Sequence, residues 1–415
     1  MAGLGTQGLH GLHGLHGLHG LHGLHGLHGG AGVLGLHATG GGSGSLSAGM
    51  TFTAEALTGY WDGTPAEDYY NGPDHFGPSA SWEEELRRLD SLQPDSRITV
   101  LTDEACGLFK VTPDSDDRLT LWAMRGAVGT GGDEAITRIL SLKTPSLDAL
   151  NGQLSYLRPA ADLRGDRLNE ILNQTGDLLS FFGGIQHLNV YGKRWTAILL
   201  HALYNAVGAA EQRMKHLCTV ARPIDLAPQV QPIIQTPSHS SYPSGHATEA
   251  MAFAVMLAAL RHATTPSISG TPFSTWLMSE LAKTEAEQSD PAQASPDWLM
   301  LLMRLAVRIA ENRTVAGVHF PVDSAHGALM GMAVTLGFVA HCSGGGAAPT
   351  WDVSANEWCA EPGDFTLSLW RRNLADGGVI EPGGTYQTAA TAPWMSLPAL
   401  WQAAIREWQA GPGQP

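Results

Sequence analysis

Between Asp166 and Ala340 one pattern recurs: apolar residues three and four apart, over stretches much longer than a strand. Asp166–Phe182, Tyr191–Leu217, Gly245–Arg261, Trp298–Asn312 and Asp323–Ala340 all read as helices. Gly183-Gly184 is the expected break between the first two, and Thr264–Thr271 and Ser289–Pro296 are expected loops. The pattern predicts a mainly α fold. The longest uncharged apolar runs, Ala250–Leu260 and Gly327–Ala340, are shorter than the roughly 18 residues of a membrane span, so no span is predicted and a soluble protein is expected. A cationic segment followed by an apolar one is not evident near the start, so no signal peptide is read and the compartment stays unassigned.

The flanks differ from this centre. Residues 1–49 contain no Asp, Glu, Lys or Arg, and from Gly8 to His28 the triplet Gly-Leu-His repeats. A period of three suits neither a helix nor an amphipathic strand, and glycine at each third position raises the entropic cost of order. A disordered arm is expected there, with its imidazoles a weak sink for Zn, Ni or Cu. Met50 follows directly and is a candidate start for the folded part. Residues 50–145 read as an irregular segment wrapping the core. In it, Tyr60-Trp61 and Tyr69-Tyr70 alternate with turn signals, Ser81-Trp82-Glu83-Glu84 resembles a capping box for a helix through Leu89, and Ile136–Leu142 looks helical. Residues 146–342 form the helical core. Residues 343–415 are a Trp-rich extension with a last helix near Leu397–Trp408.

The chain has 24 Lys and Arg against 39 Asp and Glu, a net charge of −15, which excludes a general nucleic-acid binder. Cys106, Cys218, Cys342 and Cys359 form no Cys-x-x-Cys pair, so free buried thiols are expected rather than a zinc or redox site.

Three motifs carry chemistry. In the first, Lys215 and Arg222 are seven apart, which on a helix places both cations on one face before Pro223 stops it. Alone, such a pair is an ordinary solvated stripe. The second is His239-Ser240-Ser241-Tyr242-Pro243-Ser244-Gly245-His246, leading into an apolar helix. Ser244 and Gly245 fall at its N-terminus, where free N–H groups favour an anion, and His246 in the first turn can give or take a proton beside it. The third is Asn312-Arg313 followed by His319 and Asp323, four apart, so that on a helical turn the carboxylate can hold one imidazole N–H and leave the other nitrogen free. Three cations, a helix N-terminus, an acid/base histidine and an oriented imidazole are parts that hold a tetrahedral or trigonal-bipyramidal oxyanion.

Taken in order, Lys-x6-Arg-Pro, Pro-Ser-Gly-His and Arg-x5-His-x3-Asp resemble the superfamily of type 2 phosphatidic acid phosphatases and vanadium-dependent haloperoxidases, over Lys215 to Asp323. The resemblance implies a helical bundle of the acid phosphatase/vanadium-dependent haloperoxidase type, with residues 146–342 as its catalytic core. The stretch from His239 to Thr248 is similar to the bromoperoxidase pattern except at Ser240, where that pattern has proline; Asn312 stands where the phosphatases have serine. His239 then corresponds to a second active-site imidazole.

For a haloperoxidase, the resemblance implies vanadate bonded to His319 and held by Lys215, Arg222, Ser244, Gly245 and Arg313. His246 would manage the proton of hydrogen peroxide, Asp323 would orient His319, Lys215 would polarise the bound peroxide, and halide, bromide above all, would be oxidised to hypohalous acid without haem. For a soluble acid phosphatase, the same pocket holds phosphate, His319 attacks phosphorus and His246 protonates the leaving group of a phosphate ester. A third alternative is a non-catalytic oxyanion or metal binder working through the Gly-Leu-His arm. The implied partners are small molecules, with no nucleic acid; a homo-oligomer is compatible with either enzyme.

Overall fold

The computed structural model of the 415-residue chain describes residues 77–115, 117–124, 136–188, 192–360, 362–376, 380–388 and 395–410. The expected arm over 1–49 and the aromatic pairs at 60–61 and 69–70 lie outside the described residues. Helices α1 (Trp82–Ser91) and α2 (Pro94–Gly107) come first. The Ser81 hydroxyl accepts from the Glu84 N–H at 3.2 Å, as expected of a cap, while the Glu84 carboxylate turns back to accept from the Ala80 N–H at 2.9 Å. Strands β1 (Phe109–Ser115), β2 (Arg118–Met124) and β3 (Ile136–Lys143) follow. Next come α3 (Leu147–Ala161), α4 (Arg164–Gln174), α5 (Leu179–Gln186) and the long α6 (Arg194–Leu217). A short α7 (Pro223–Leu226) precedes α8 (Gly245–Ala263), α9 (Phe273–Ala282), α10 (Glu285–Ser289), α11 (Asp297–Val315) and α12 (Pro321–Cys342). Strand β4 (Gly346–Ser354), α13 (Ala355–Ala360), α14 (Leu367–Asp376), β5 (Ile380–Thr388) and α15 (Ser396–Gln409) complete the described chain.

The chain is mainly helical, but a five-stranded sheet in the order β1-β2-β3-β4-β5 is also present and was not expected. Residues 136–142, expected as helix, form most of β3. This strand pairs antiparallel with β2 and parallel with β4, so Leu140 lies between Leu121 and Trp351. Seven residues do not separate a helix period from a buried strand, and strand neighbours distant in sequence decide the outcome. The sheet unites residues from both flanks: β1 packs against α6, and β4 against α12.

Further boundaries differ from expectation. Gly183 and Gly184 lie inside α5, which runs on to Gln186 before the break ahead of α6. A further break at 175–178, where Asp177 accepts from the Ser180 N–H at 3.0 Å, divides the first expected helix into α4 and α5. Helix α9 was not foreseen. Cys218 and Cys342 are buried free thiols, whereas Cys106 and Cys359 are half-buried.

At the centre, α8 packs against α6, α11 and α12. Every residue of α12 is buried, and most of α8. Both helices are apolar all round, as befits elements enclosed on all sides. Run length had suggested no segment able to span a membrane. Among the described residues α12, 22 residues long with a mean hydropathy of 1.3 over an 18-residue window, is in fact long and apolar enough to do so, although its residues are buried inside the protein. Gly327 and Gly331 make its contact with α8 close: a Cβ on Gly327 would lie 2.5 Å from the Ser244 carbonyl oxygen, and one on Gly331 2.1 Å from that of Thr248. This crossing brings the start of α12 against the start of α8.

Candidate active site

Each motif reaches the site by a backbone path of its own. Lys215 occupies the last turn of α6, which ends at Leu217, so Arg222 does not share its helix face as the spacing had suggested. Arg222 instead caps α7, its N–H donating to Asp225 Oδ2 at 2.8 Å, and its side chain turns into the site. Ser244 caps α8, and its own N–H donates to the Asp323 carbonyl at 2.9 Å. Arg313 lies near the end of α11. The chain then turns at Gly317, whose φ of 82° and whose contacts with Arg164 and Val230 favour glycine. His319 precedes α12 rather than sharing a helical turn with Asp323. Asp323 is the third residue of α12 and accepts from the Phe320 N–H at 2.9 Å, so helix capping, not helical periodicity, aligns it with His319.

The neutral tautomer of His319 follows from its neighbours. Arg222 Nη1 donates to His319 Nε2 at 3.1 Å, so Nδ1 carries the proton and donates to Asp323 Oδ2, also at 3.1 Å. Burial, then the fields of Arg222 and Lys215, hold this imidazole well below its ordinary pKa. The Nε2 lone pair therefore faces the cations. Ser241, which sequence reasoning had not singled out, donates to Asp323 Oδ2 at 2.5 Å. Burial pushes the Asp323 carboxyl up to about 6, against the lowering effect of the Ser241 and Phe320 hydrogen bonds.

The three cations are almost wholly buried. Lys215 Nζ donates to the Ser240 carbonyl at 3.1 Å and lies 3.7 Å from Glu211 Oε1. Burial lowers Lys215 to about 8, offset in part by Glu211, and lowers both Arg222 and Arg313 to about 10. Both guanidinium groups remain charged at neutral pH. Arg222 spreads its donors over the Val318 and Ser240 carbonyls, His319 and His239. Arg313 Nη2 donates to Gln174 Oε1 at 3.0 Å, but its Nε and Nη1, and the Ser244 hydroxyl, have no protein partner although buried. Buried donors are rarely left so. An oxyanion would supply the acceptors that they lack.

His246 and Arg313 are tied to the same residue. His246 Nε2 donates to the Gln174 carbonyl at 3.1 Å, and the Gln174 side chain accepts from Arg313. Gln174, at the end of α4, had no sequence signal. His239 Nδ1 lies 3.1 Å from Arg222 Nη2, on the guanidinium that faces His319. Lys215, Arg222, His239, Ser244, Gly245, His319 and Asp323 thus form one connected cluster through Ser240, Ser241 and Glu211, and Gln174 joins His246 to Arg313. Glu211 and Glu249, both buried beside these cations, were also missed. Glu211 stands four residues before Lys215, which in sequence is an ordinary helix-surface pair.

Residues 195–343 match the PAP2 superfamily, and this stretch, from the start of α6 to just past α12, is a PAP2 superfamily domain. No curated protein matches the chain.

Proposed function

We propose that the chain is a vanadate-dependent haloperoxidase, oxidising halide with hydrogen peroxide. The observation that carries this reading is His239, an added imidazole held against Arg222, the cation that faces His319 Nε2. The donor set suits vanadate: an imidazole in His319 whose unprotonated Nε2 points to Arg222, the cations Lys215, Arg222 and Arg313, and the Ser244 hydroxyl and Gly245 N–H at the start of α8. Vanadate, when bound, remains fully oxidised and supplies Lewis acidity to hydrogen peroxide. Asp323 holds the His319 proton on Nδ1 and so keeps Nε2 available. His246 takes a proton from hydrogen peroxide and returns it to the departing water. Lys215 draws electron density from the oxygen that the halide attacks. The overall change converts halide, hydrogen peroxide and one proton to hypohalous acid and water.

One observation favours a second reading. A buried neutral histidine with Nδ1 on a carboxylate is also an oriented nucleophile. In a phosphatase, His319 Nε2 would attack phosphorus, the ester P–O bond would break and His246 would protonate the leaving alkoxide. Paired assays separate the two: bromination of a phenol dye with peroxide and bromide, with and without added vanadate, and release of p-nitrophenol from its phosphate ester. Vanadate-dependent bromination supports the first reading. Ready ester hydrolysis without any bromination overturns it in favour of the second.

A further inference from the structure

Two buried acids stand behind the cations, and neither reading above uses them. Glu211 lies on α6 one turn before Lys215, and Glu249 on α8 one turn after Gly245. The Glu211 carboxylate lies against the first residue of α8: a Cβ on Gly245 would be 2.5 Å from Oε1 and 2.9 Å from Oε2. Its Oε1 also accepts from Gln212 Nε2 at 3.3 Å. Glu249 is hydrogen-bonded by Tyr204 of α6, and its Oε2 is buried with no partner.

The charges at the site are evenly matched. Lys215, Arg222 and Arg313 face Glu211, Glu249 and Asp323, all buried. Glu211 feels Lys215 on its own helix and Arg222 from the loop before α7. Glu249 feels Glu211, Lys215 and Tyr204 from α6 and Arg313 from α11. With all six groups ionised the cations are already balanced, so an entering oxyanion brings uncompensated negative charge into a buried space. Burying such charge is costly unless a proton accompanies it.

We propose that Glu211 and Glu249 are a proton-accepting pair behind the oxyanion cradle, so that an oxyanion enters the site together with a proton that the pair takes up. The proposal rests on the oxyanion-site reading of the preceding subsection and holds for vanadate and phosphate alike. Asp323 also has a buried oxygen without a partner, Oδ1, but it is the poorer acceptor of that proton because Ser241, His319 and the Phe320 N–H all donate to its Oδ2 and stabilise its charge. Burial, the chief cause in both cases, raises Glu211 to about 7 and Glu249 to about 8, with the charge of Glu211 adding to the effect at Glu249. The pair therefore changes its proton occupancy near neutral pH. Uptake of a proton on anion binding makes affinity fall as pH rises through this range.

Molybdate is a suitable probe, a tetrahedral dianion that does not itself titrate in the neutral range. Titration calorimetry of the full chain in two buffers of different protonation enthalpy reads proton uptake directly. Wild type should take up about half a proton per molybdate at pH 7 and roughly one near pH 8, where the free pair is largely ionised, and its affinity should fall by up to about tenfold per pH unit above the pair's range. Glu249→Gln and Glu211→Gln, which mimic the protonated acids, should each reduce the uptake and flatten the pH dependence. Tyr204→Phe removes a hydrogen bond to ionised Glu249 and should move uptake to higher pH, a second variant that leaves both acids in place. Molybdate binding with no proton uptake, or with uptake unchanged in all three variants, overturns the proposal and leaves the oxyanion reading standing. Absence of molybdate binding to wild type, or binding undiminished in His319→Ala, overturns both.

Discussion

Gly331→Ala tests whether the α8–α12 crossing holds the site together. The added Cβ would sit 2.1 Å from the Thr248 carbonyl oxygen, more than 1 Å inside an ordinary contact at 3.4 Å or beyond, and also tightly at 3.0 Å from its carbon and 3.2 Å from Ala252 N. All three atoms are backbone in a helix interior, so no side chain can turn aside and the two helices must move apart. Both are enclosed by the bundle, and separation also loosens the packing of Met251, Ala252 and Val255 on α8. The expected cost is about 3 kcal/mol, at the upper end of the range for overpacked cores. In a chain of this size, that lowers the melting temperature by roughly 4 °C.

Gly208→Ala is the matched control. Gly208 is inside α6, and a Cβ there meets nothing within 4 Å. Here the entropic cost of helical glycine dominates, so alanine should stabilise by roughly 0.5 to 1 kcal/mol. Differential scanning fluorimetry of the two variants should therefore give shifts of opposite sign. A Gly331→Ala protein that melts with the wild type, or both variants moving in one direction, would refute the argument that backbone clearance sets this crossing.

Vanadate and phosphate should each raise the melting temperature of wild type by mass action, and His319→Ala should largely abolish that rise; an equal rise in the variant would exclude His319 from the site. His239→Ala should retain vanadate binding but lower bromide oxidation by roughly one or two orders of magnitude, measured by dye bromination; unchanged oxidation would remove His239 from the chemistry. The folded Glu249 carboxyl is raised from 4.5 to about 8, so its contribution to stability is fully present below 4.5 and is lost as pH rises through about 8. Urea denaturation of Glu249→Gln against wild type should therefore show the variant gaining relative stability as pH is raised; parallel curves across that range would contradict the raised value.

How far the fold could be read from sequence depended on what each element packs against. Helices α6, α8, α11 and α12 are long, and their cores or ends carry strong local signals, so their expected and observed spans nearly coincide. β3 was misread because its environment is made by β2, about twenty residues earlier, and β4, about two hundred later. The glycine pair in α5 misled for a related reason: glycine permits a break without requiring one, and the helix continues through the pair to Gln186.

At the site, the residues legible in sequence are those whose type is unusual in its place. A histidine after Pro-Ser-Gly, or an arginine six before another histidine, stands out in one dimension. The residues that were missed are ordinary there. Gln174 acts through a carbonyl on one side and an amide on the other, and any helix end has a carbonyl. Glu211 and Lys215 look like a solvated pair one turn apart until the fold buries both and places Gly245 against the carboxylate. That burial changes their chemistry. The exposed version of the pair would contribute little and titrate normally, whereas the buried one moves Lys215 down to about 8 and Glu211 up to about 7, toward each other and toward neutrality. Proton balance at this site is thus a property of the helix packing, and helix packing is what a motif of spaced residues does not record.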